Sequence, residues 1–235
     1  MAESLSLGAM IVDGEYAKNI IAATSSHFCS AERQFRFPLE YGSQRPPTAQ
    51  WTVTGAAAFL VGATIPQSES VDIGKNNEFP RITAALPGKI IDMGIKDANN
   101  MGAAMAPAAA DTILAYFRES GEDPRSFDMI LTGDLGFEGN AICRELLADE
   151  GLILGGNFSD CGILIFDPEV QDTHSGGSGC GCSATVLGGY IYRRLINGEI
   201  GRALIIGTGA LMSPAMIQQG KSIAGIGHLI KIENG

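Results

Sequence analysis

The sequence has few positive charges and few cysteines for its size. Its 235 residues include 16 Lys and Arg against 26 Asp and Glu, so the net charge is -10. This charge repels a phosphate backbone, which argues against a nucleic-acid partner and against unassisted docking on an anionic lipid surface. The five cysteines, at positions 29, 143, 161, 180 and 182, are odd in number and scattered. They therefore do not form the framework of a secreted disulfide scaffold.

Long hydrophobic runs and targeting signals are also lacking. The longest apolar run, Ala56 to Ile65, is far shorter than the ~20 residues that a spanning helix needs. Residues 1–12 have no basic start, so no signal peptide is predicted. The phosphate-binding pattern G-x-x-x-x-G-K-S/T does not occur, which excludes a nucleotide site of that class.

Glycine and apolar residues are abundant. The chain has 31 Gly and 45% hydrophobic residues, enough for a large core in which helices and strands approach closely. This composition favours an α/β protein.

Two segments 184 residues apart share one pattern. "VDGEYAKNIIAATSSH" (Val12–His27) and "INGEIGRALIIGTGAL" (Ile196–Leu211) each predict the end of an amphipathic helix, a stop at Gly and a short buried strand. The match resumes at an offset of 171 between "TGAAAFLV" and "AGIGHLIKI". The first copy therefore holds thirteen extra residues, which we place in the polar segment 31–47.

The repeat predicts a pseudo-twofold duplication of one α/β half. Residues 1–66 are the remnant of a truncated first half, residues 67–235 form the second half, and Gln67–Pro80 is the linker. The helix over residues 1–12 is expected to expose an apolar face and to favour oligomers. Elements predicted only before the second copy are helices Met105–Ser120 and Asn140–Asp149 and strands Asp128–Thr132 and Gly162–Phe166.

Several strings resemble a known family. They include "LTGDLG", "SDCGILIF", "GGSGCGCSA" and "GTGALMSPAMIQQ". The chain resembles, over its whole length, the stage V sporulation protein AD family of spore-forming bacteria, in the thiolase-like superfamily. The resemblance implies a layered αβαβα pseudo-dyad of two βαβ-type halves. It also implies that about a third of the fold lies upstream of Met1, together with the superfamily's nucleophilic cysteine.

The resemblance implies a function as well. The family is associated with uptake of dipicolinic acid (pyridine-2,6-dicarboxylic acid), with or without calcium, into the developing spore. Expected partners are this acid or its calcium chelate, the other stage V sporulation A proteins and a second copy of the chain. The expected location is peripheral, on the cytoplasmic side of the spore inner membrane, with no cofactor. The alternatives are an acyl-transferring enzyme and a purely structural subunit of a channel complex.

The glycine-rich string contains the first candidate residues. Cys180 is expected near a helix start, where the dipole favours a thiolate that acts as a nucleophile or, with His174, binds a metal. The alternative is a packed glycine loop, and we predict no metal site. By resemblance, Gly177 and Ser178 stand where the superfamily has an Asn or a Gly-His pair, so that catalytic partner is lost.

Asp134 and two histidines are further candidates. By resemblance, Asp134 of "LTGDLG" stands where condensing enzymes have a catalytic His. A carboxylate cannot donate a hydrogen bond to a thioester oxygen unless its pKa is strongly raised. The alternative is a turn, or a cap for the helix that includes Asn140. His27 and His228 either line a pocket or are packed in their strands.

The extra segment of the first copy is cationic. Arg33, Arg36 and Arg45 could bind the carboxylates of a small acid, because guanidinium groups pair with carboxylates through two hydrogen bonds. The alternative is a solvated or dimer-contacting loop in which they pair with Glu32 and Glu40. We include Arg33 and Arg36 in the candidate ligand site.

Overall fold

The structure is a computed structural model that describes residues 1–29, 46–64 and 79–234. The predictions for Arg33, Arg36 and Arg45, and for most of the linker Gln67–Pro80, lie outside these ranges.

The described residues form a mixture of helices and strands. In order they are α1 (Ala2–Asp13), β1 (Asn19–Ser26), β2 (Trp51–Thr52), β3 (Gly55–Gly62), β4 (Arg81–Leu86), α2 (Met101–Ser120), a 3-10 turn (Pro124–Ser126), β5 (Met129–Thr132), α3 (Gly136–Asp149), β6 (Phe158–Asp160), α4 (Cys161–Leu164), β7 (Gly177–Ser178), α5 (Cys180–Val186), a π-helical turn (Leu187–Ile191), α6 (Tyr192–Ile196), β8 (Arg202–Ala210), α7 (Pro214–Gln218) and β9 (Gly225–Glu233).

A five-stranded mixed sheet forms the centre of the described structure. Its strand order is β4-β9-β8-β5-β6. Strands β6, β5 and β8 run parallel, whereas β9 is antiparallel to both β8 and β4. The carboxyl ends of β5 and β8 therefore lie at one edge of the sheet, where open α/β sheets place their ligands.

Helices cover both faces of this sheet. Leu204 and Ile206 of β8 pack with α2 and α3, whereas Ala203 and Ile205 pack in the other cluster, with α1 and the helical run α5–α6. This alternation follows from the two-residue period of a strand. Strands β1 and β3 form a separate two-stranded antiparallel sheet, called the hairpin below, although β2 lies between them in sequence. This hairpin contacts α1 and α5 on the side away from the five-stranded sheet. The layers are thus α2 and α3, the five-stranded sheet, α1 with α5–α6, and the hairpin.

The predicted repeat is confirmed in the order of its elements, but the prediction of a buried strand is wrong for β1, where only Ala22 is buried because just one face of the strand packs on the helices. The order helix, strand, antiparallel strand occurs as α1–β1–β3 and again as α5–α6–β8–β9. The two helix ends differ in detail. Gly198 takes the left-handed conformation with φ 68°, but at the first copy Gly14 has φ -76° and Glu15 takes φ 61° instead.

The strand predicted over Gly162–Phe166 is wrong. The strand is Phe158–Asp160, and the next residues form α4. The Asp160 side chain accepts the Gly162 backbone N–H at 2.8 Å, which caps a helical turn and ends the strand. The two predicted helices are present but begin four residues earlier, at Met101 and Gly136.

The exposed apolar face of α1 is confirmed. Leu5 and Val12 are buried, whereas Leu7, Met10 and Ile11 are 40–54% exposed. Ile21 and Leu60, which face each other in the hairpin, are 72% and 63% exposed. Within the described residues, we find no helix with both the length and the hydropathy needed to cross a bilayer.

Candidate functional site

Asp134 lies where the carboxyl ends of β5 and β8 meet the start of α5. Its Oδ1 accepts the Thr208 hydroxyl at 2.7 Å, and its Oδ2 accepts the Gly179 backbone N–H at 2.9 Å. Its own backbone N–H donates to Thr208 Oγ1 at 3.0 Å. The carboxylate therefore connects strand β8 to the first residues of α5.

A different carboxylate caps the helix for which Asp134 was considered. Asp160, fully buried, accepts the backbone N–H groups of Leu135 at 2.8 Å and Gly136 at 3.0 Å at the start of α3. The proposed cap between Asp134 and the helix that includes Asn140 is thus wrong. Asp134 serves the start of α5 instead.

Burial raises the pKa of Asp160 to about 7, although its hydrogen bonds oppose the shift. The Thr132 hydroxyl lies 2.6 Å from Asp160 Oδ2 and 3.3 Å from the Ser159 carbonyl oxygen. A protonated Asp160 can donate to Thr132, which then donates to Ser159. The site therefore accommodates the neutral acid as well as the carboxylate.

Cys180 lies at the contact between α5 and β1. It is exposed, and its sulfur is 3.2 Å from the Ser25 carbonyl oxygen, in the geometry of an S–H donor. Next to it, Ser26 Oγ accepts the Gly181 backbone N–H at 2.8 Å and donates to the Val53 carbonyl at 2.7 Å. The start of α5 is thus fixed on the hairpin, and the thiol form of Cys180 suits its contact.

Three further cysteines are buried in the core. Burial raises the pKa of Cys143 to about 12 and that of Cys161 well above its usual range. Both thiols therefore remain protonated at neutral pH. Cys182 is also fully buried. In the described ranges, we find no group of three His, Cys, Asp or Glu residues arranged to hold a metal ion.

Gly177 and Ser178 form strand β7, which pairs in parallel with β2. The Gly177 carbonyl accepts the Gln50 amide at 3.0 Å, and the Ser178 carbonyl accepts the Val53 backbone N–H at 2.9 Å. Gln50 Nε2 also donates to the Asp134 carbonyl at 2.7 Å. These contacts hold the segment before β3 against β7 and the loop that follows β5.

The two candidate histidines lie on different elements. His27 follows β1, is exposed, and accepts the Cys29 backbone N–H at Nδ1 over 3.1 Å. His228 lies on β9, where Nδ1 accepts the Gly88 backbone N–H at 3.3 Å. Its Nε2 is 4.0 Å from Glu3 Oε1 on α1.

Four of the candidate residues lie at the start of α5. Asp134 accepts the Gly179 backbone N–H, Gly177 and Ser178 precede Gly179 as β7, and Cys180 begins the helix. His27 follows Ser26, which accepts the Gly181 backbone N–H. His228 lies on the α1 side.

The sequence did not single out four residues of this region, namely Thr208, Ser26, Gln50 and Glu3. One signal was available for the first of them. At the repeat offset of 184, Thr208 is the counterpart of Thr24, so a hydroxyl recurs near the carboxyl end of each repeat strand. The other three depend on contacts between distant parts of the chain.

Comparison with known proteins identifies the family. The model of the family described as stage V sporulation protein AD matches residues 1–233. The chain belongs to the stage V sporulation protein AD family. It is 44% identical over 231 residues to stage V sporulation protein AD of Bacillus subtilis (strain 168), covering 98% of this chain and 64% of that protein.

Several solved structures have a similar fold. They include AbyA1, a tetronic acid condensing enzyme (TM-score 0.53, 13% identity), and cerulenin-bound OleA of Xanthomonas campestris (0.54, 12%). A third is 3-oxoacyl-[acyl-carrier-protein] synthase III of Aquifex aeolicus (0.51, 10%). They cover 98–99% of this chain, which spans 61–64% of theirs. The thiolase-like α/β fold expected for the stage V sporulation protein AD family is thereby confirmed.

Proposed function

We propose that this member of the stage V sporulation protein AD family binds dipicolinic acid without turning it over, for uptake into the developing spore. The acid enters free or as its calcium chelate. The other stage V sporulation A proteins and a second copy of the chain are the proposed partners, on the cytoplasmic side of the spore inner membrane.

The hydrogen bonds of Asp134 carry this proposal. By resemblance, Asp134 stands where condensing enzymes have a catalytic His. Its two oxygens accept hydrogen bonds from Thr208 and Gly179, so the carboxylate has no proton to donate to a thioester oxygen as a catalytic His can. This arrangement supports binding without turnover.

The fold itself favours the competing function of acyl transfer. Acyl transfer needs an activated nucleophile next to a base. Cys143, Cys161 and Cys182 are buried, and the S–H of Cys180 is directed at the Ser25 carbonyl. An acyl adduct on Cys180 after incubation with an acyl thioester, detected by intact-mass spectrometry, would establish the enzyme instead.

Calorimetric titration of dipicolinate, with and without Ca²⁺, tests the proposed function. We expect saturable binding to one site per chain. Benzene-1,3-dicarboxylate is the matched control, since it places two carboxylates at the same spacing but lacks the ring nitrogen. Heat of equal size from both acids would indicate nonspecific binding of dicarboxylates, and an absence of heat from dipicolinate would overturn the proposal.

Arg33 and Arg36 give a prediction for the same titration. If their guanidinium groups bind the ligand carboxylates, Arg33→Ala and Arg36→Ala each weaken dipicolinate binding by about tenfold or more, because a charged hydrogen-bonded partner is lost. Arg125→Ala is the control, since Arg125 is exposed and pairs with Asp123 at 2.6 Å. Unchanged affinity in both site variants would remove these residues from the site.

A further inference from the structure

The ring of His228 is oriented by the backbone on one side only. The Gly88 N–H donates to Nδ1 at 3.3 Å, so Nδ1 is the acceptor nitrogen of a neutral imidazole. The proton of the ring must then be on Nε2, and the carboxylate of Glu3 on that side favours the same tautomer.

The Nε2–H group has no hydrogen-bond acceptor among the residues that the structure describes. Glu3 Oε1 is 4.0 Å away, beyond hydrogen-bonding distance, and the Glu3 side chain is 68% exposed. Because the His228 side chain is only 19% exposed, its ring is held in place, and the side chain nearest to Nε2 is the exposed Glu3. An oriented donor without an acceptor is a common element of a ligand site.

The position of His228 places it on the face of the sheet that α1 covers. It is paired across the sheet with Gly207, on the opposite face from the side chain of Thr208. Gly207 contacts the start of α1, since a Cβ there would lie 2.9 Å from Ala2 Cβ. His228 shares the face of β9 with Ile230 and Ile232, which pack in the cluster that contains Ala2 and Leu5. The ring thus borders the start of α1.

From this geometry we infer that His228 donates a hydrogen bond from Nε2 to a carboxylate of the bound acid, with Glu3 as the side chain that the ligand displaces. The inference rests on the proposed function and adds a specificity-determining residue to it. A ligand carboxylate accepts the N–H that Glu3 does not reach, and the exposed Glu3 turns towards solvent.

Two amide substitutions at His228 distinguish the roles of its two ring nitrogens. The amide of Asn lies near the position of Nδ1, and the amide of Gln reaches the position of Nε2. His228→Asn keeps an acceptor for the Gly88 N–H but lacks the outer donor, and we expect about tenfold weaker dipicolinate binding. His228→Gln keeps the outer donor and should stay within about threefold of the wild type. Glu3→Gln should tighten binding, since it removes a negative charge from the ligand's position.

Calorimetry on the three variants and ¹⁵N NMR of the histidine-labelled chain test the inference. We expect the spectrum to show Nδ1 unprotonated and Nε2 protonated, with the Nε2 resonance shifting on ligand addition. A protonated Nδ1 in the neutral ring, or wild-type affinity in His228→Asn, would overturn the role of His228 while leaving the proposed function intact. A wild-type chain that does not bind dipicolinate would overturn both.

Discussion

We expect the Asp160→Ala variant to lose about 3–5 kcal/mol of its free energy of unfolding. Asp160 accepts hydrogen bonds from three backbone N–H groups and lies 2.6 Å from the Thr132 hydroxyl, all in a fully buried position. Each buried donor left without an acceptor costs about 1–3 kcal/mol. Urea denaturation followed by circular dichroism at pH 6 measures the loss.

The control for this variant is Asp97→Ala. Asp97 Oδ1 accepts the exposed backbone N–H of Asn99 at 2.9 Å, so it makes a similar local bond without burial. We expect a small change in its urea midpoint, since water replaces the lost acceptor. Equal destabilisation by both substitutions would contradict the role assigned to Asp160.

Asp160 also makes the free energy of unfolding depend on pH, in a direction that follows from its raised pKa. Because burial raises the pKa of Asp160 from its usual 3.8 to about 7, the folded chain binds a proton between these values that the unfolded chain releases. The stability contributed by Asp160 is therefore full below about pH 4 and is lost as the pH rises to about 7. The free-energy difference between the wild type and Asp160→Ala should shrink across this range, and a difference that grows would refute the raised pKa.

The second large effect is expected at the crossing of α2 and α3. A Cβ added at Gly139 would lie 2.7 Å from the Gly102 Cα, closer than real Cβ contacts allow. Although Gly→Ala in a helix interior ordinarily stabilises by about 1 kcal/mol, Gly139→Ala should destabilise by about 2–3 kcal/mol because the helices must move apart. Thermal and urea unfolding both report the change.

Gly189→Ala is the matched control for the helix crossing. Gly189 lies in the π-helical turn, and a Cβ there would meet no atom within 4 Å. Without a clash, only the entropy of the unfolded chain changes, so we expect about 0.5–1 kcal/mol of added stability. A gain in stability by Gly139→Ala as well would mean that the two helices do not touch at these glycines.

The local sequence pattern predicted those helices and strands that are determined by the spacing of their own apolar residues. The apolar spacing around Leu5 and Val12 and the strand after Lys18 suffice to indicate α1 and β1. The pattern failed where a distant group decides the structure. The apolar run after Asp160 favours a strand by composition, but the Asp160 carboxylate turns it into α4. Strands β2 and β7 hold two residues each and form only by pairing with one another.

The candidate site was predictable by residue type but not by contact. Asp134 was singled out by the family resemblance, yet its partners Thr208 and Gly179 are 74 and 45 residues away in sequence. The cysteines show the same limit. Burial separates the inert Cys143 and Cys161 from the exposed Cys180, and no spacing rule in the sequence makes that distinction.

The parallel pairing of β2 with β7 limits how the chain could be split into two separately expressed fragments. The peptide groups of Trp51 and Val53 and the side chain of Gln50 are bonded to residues 176–178, more than a hundred positions downstream. If the chain were split between residues 66 and 67, the upstream fragment would lack residues 176–178, to which its segment 50–53 is hydrogen-bonded. Two co-expressed fragments would therefore have to assemble during folding, as an intertwined pair, and neither could be purified alone with its native loops.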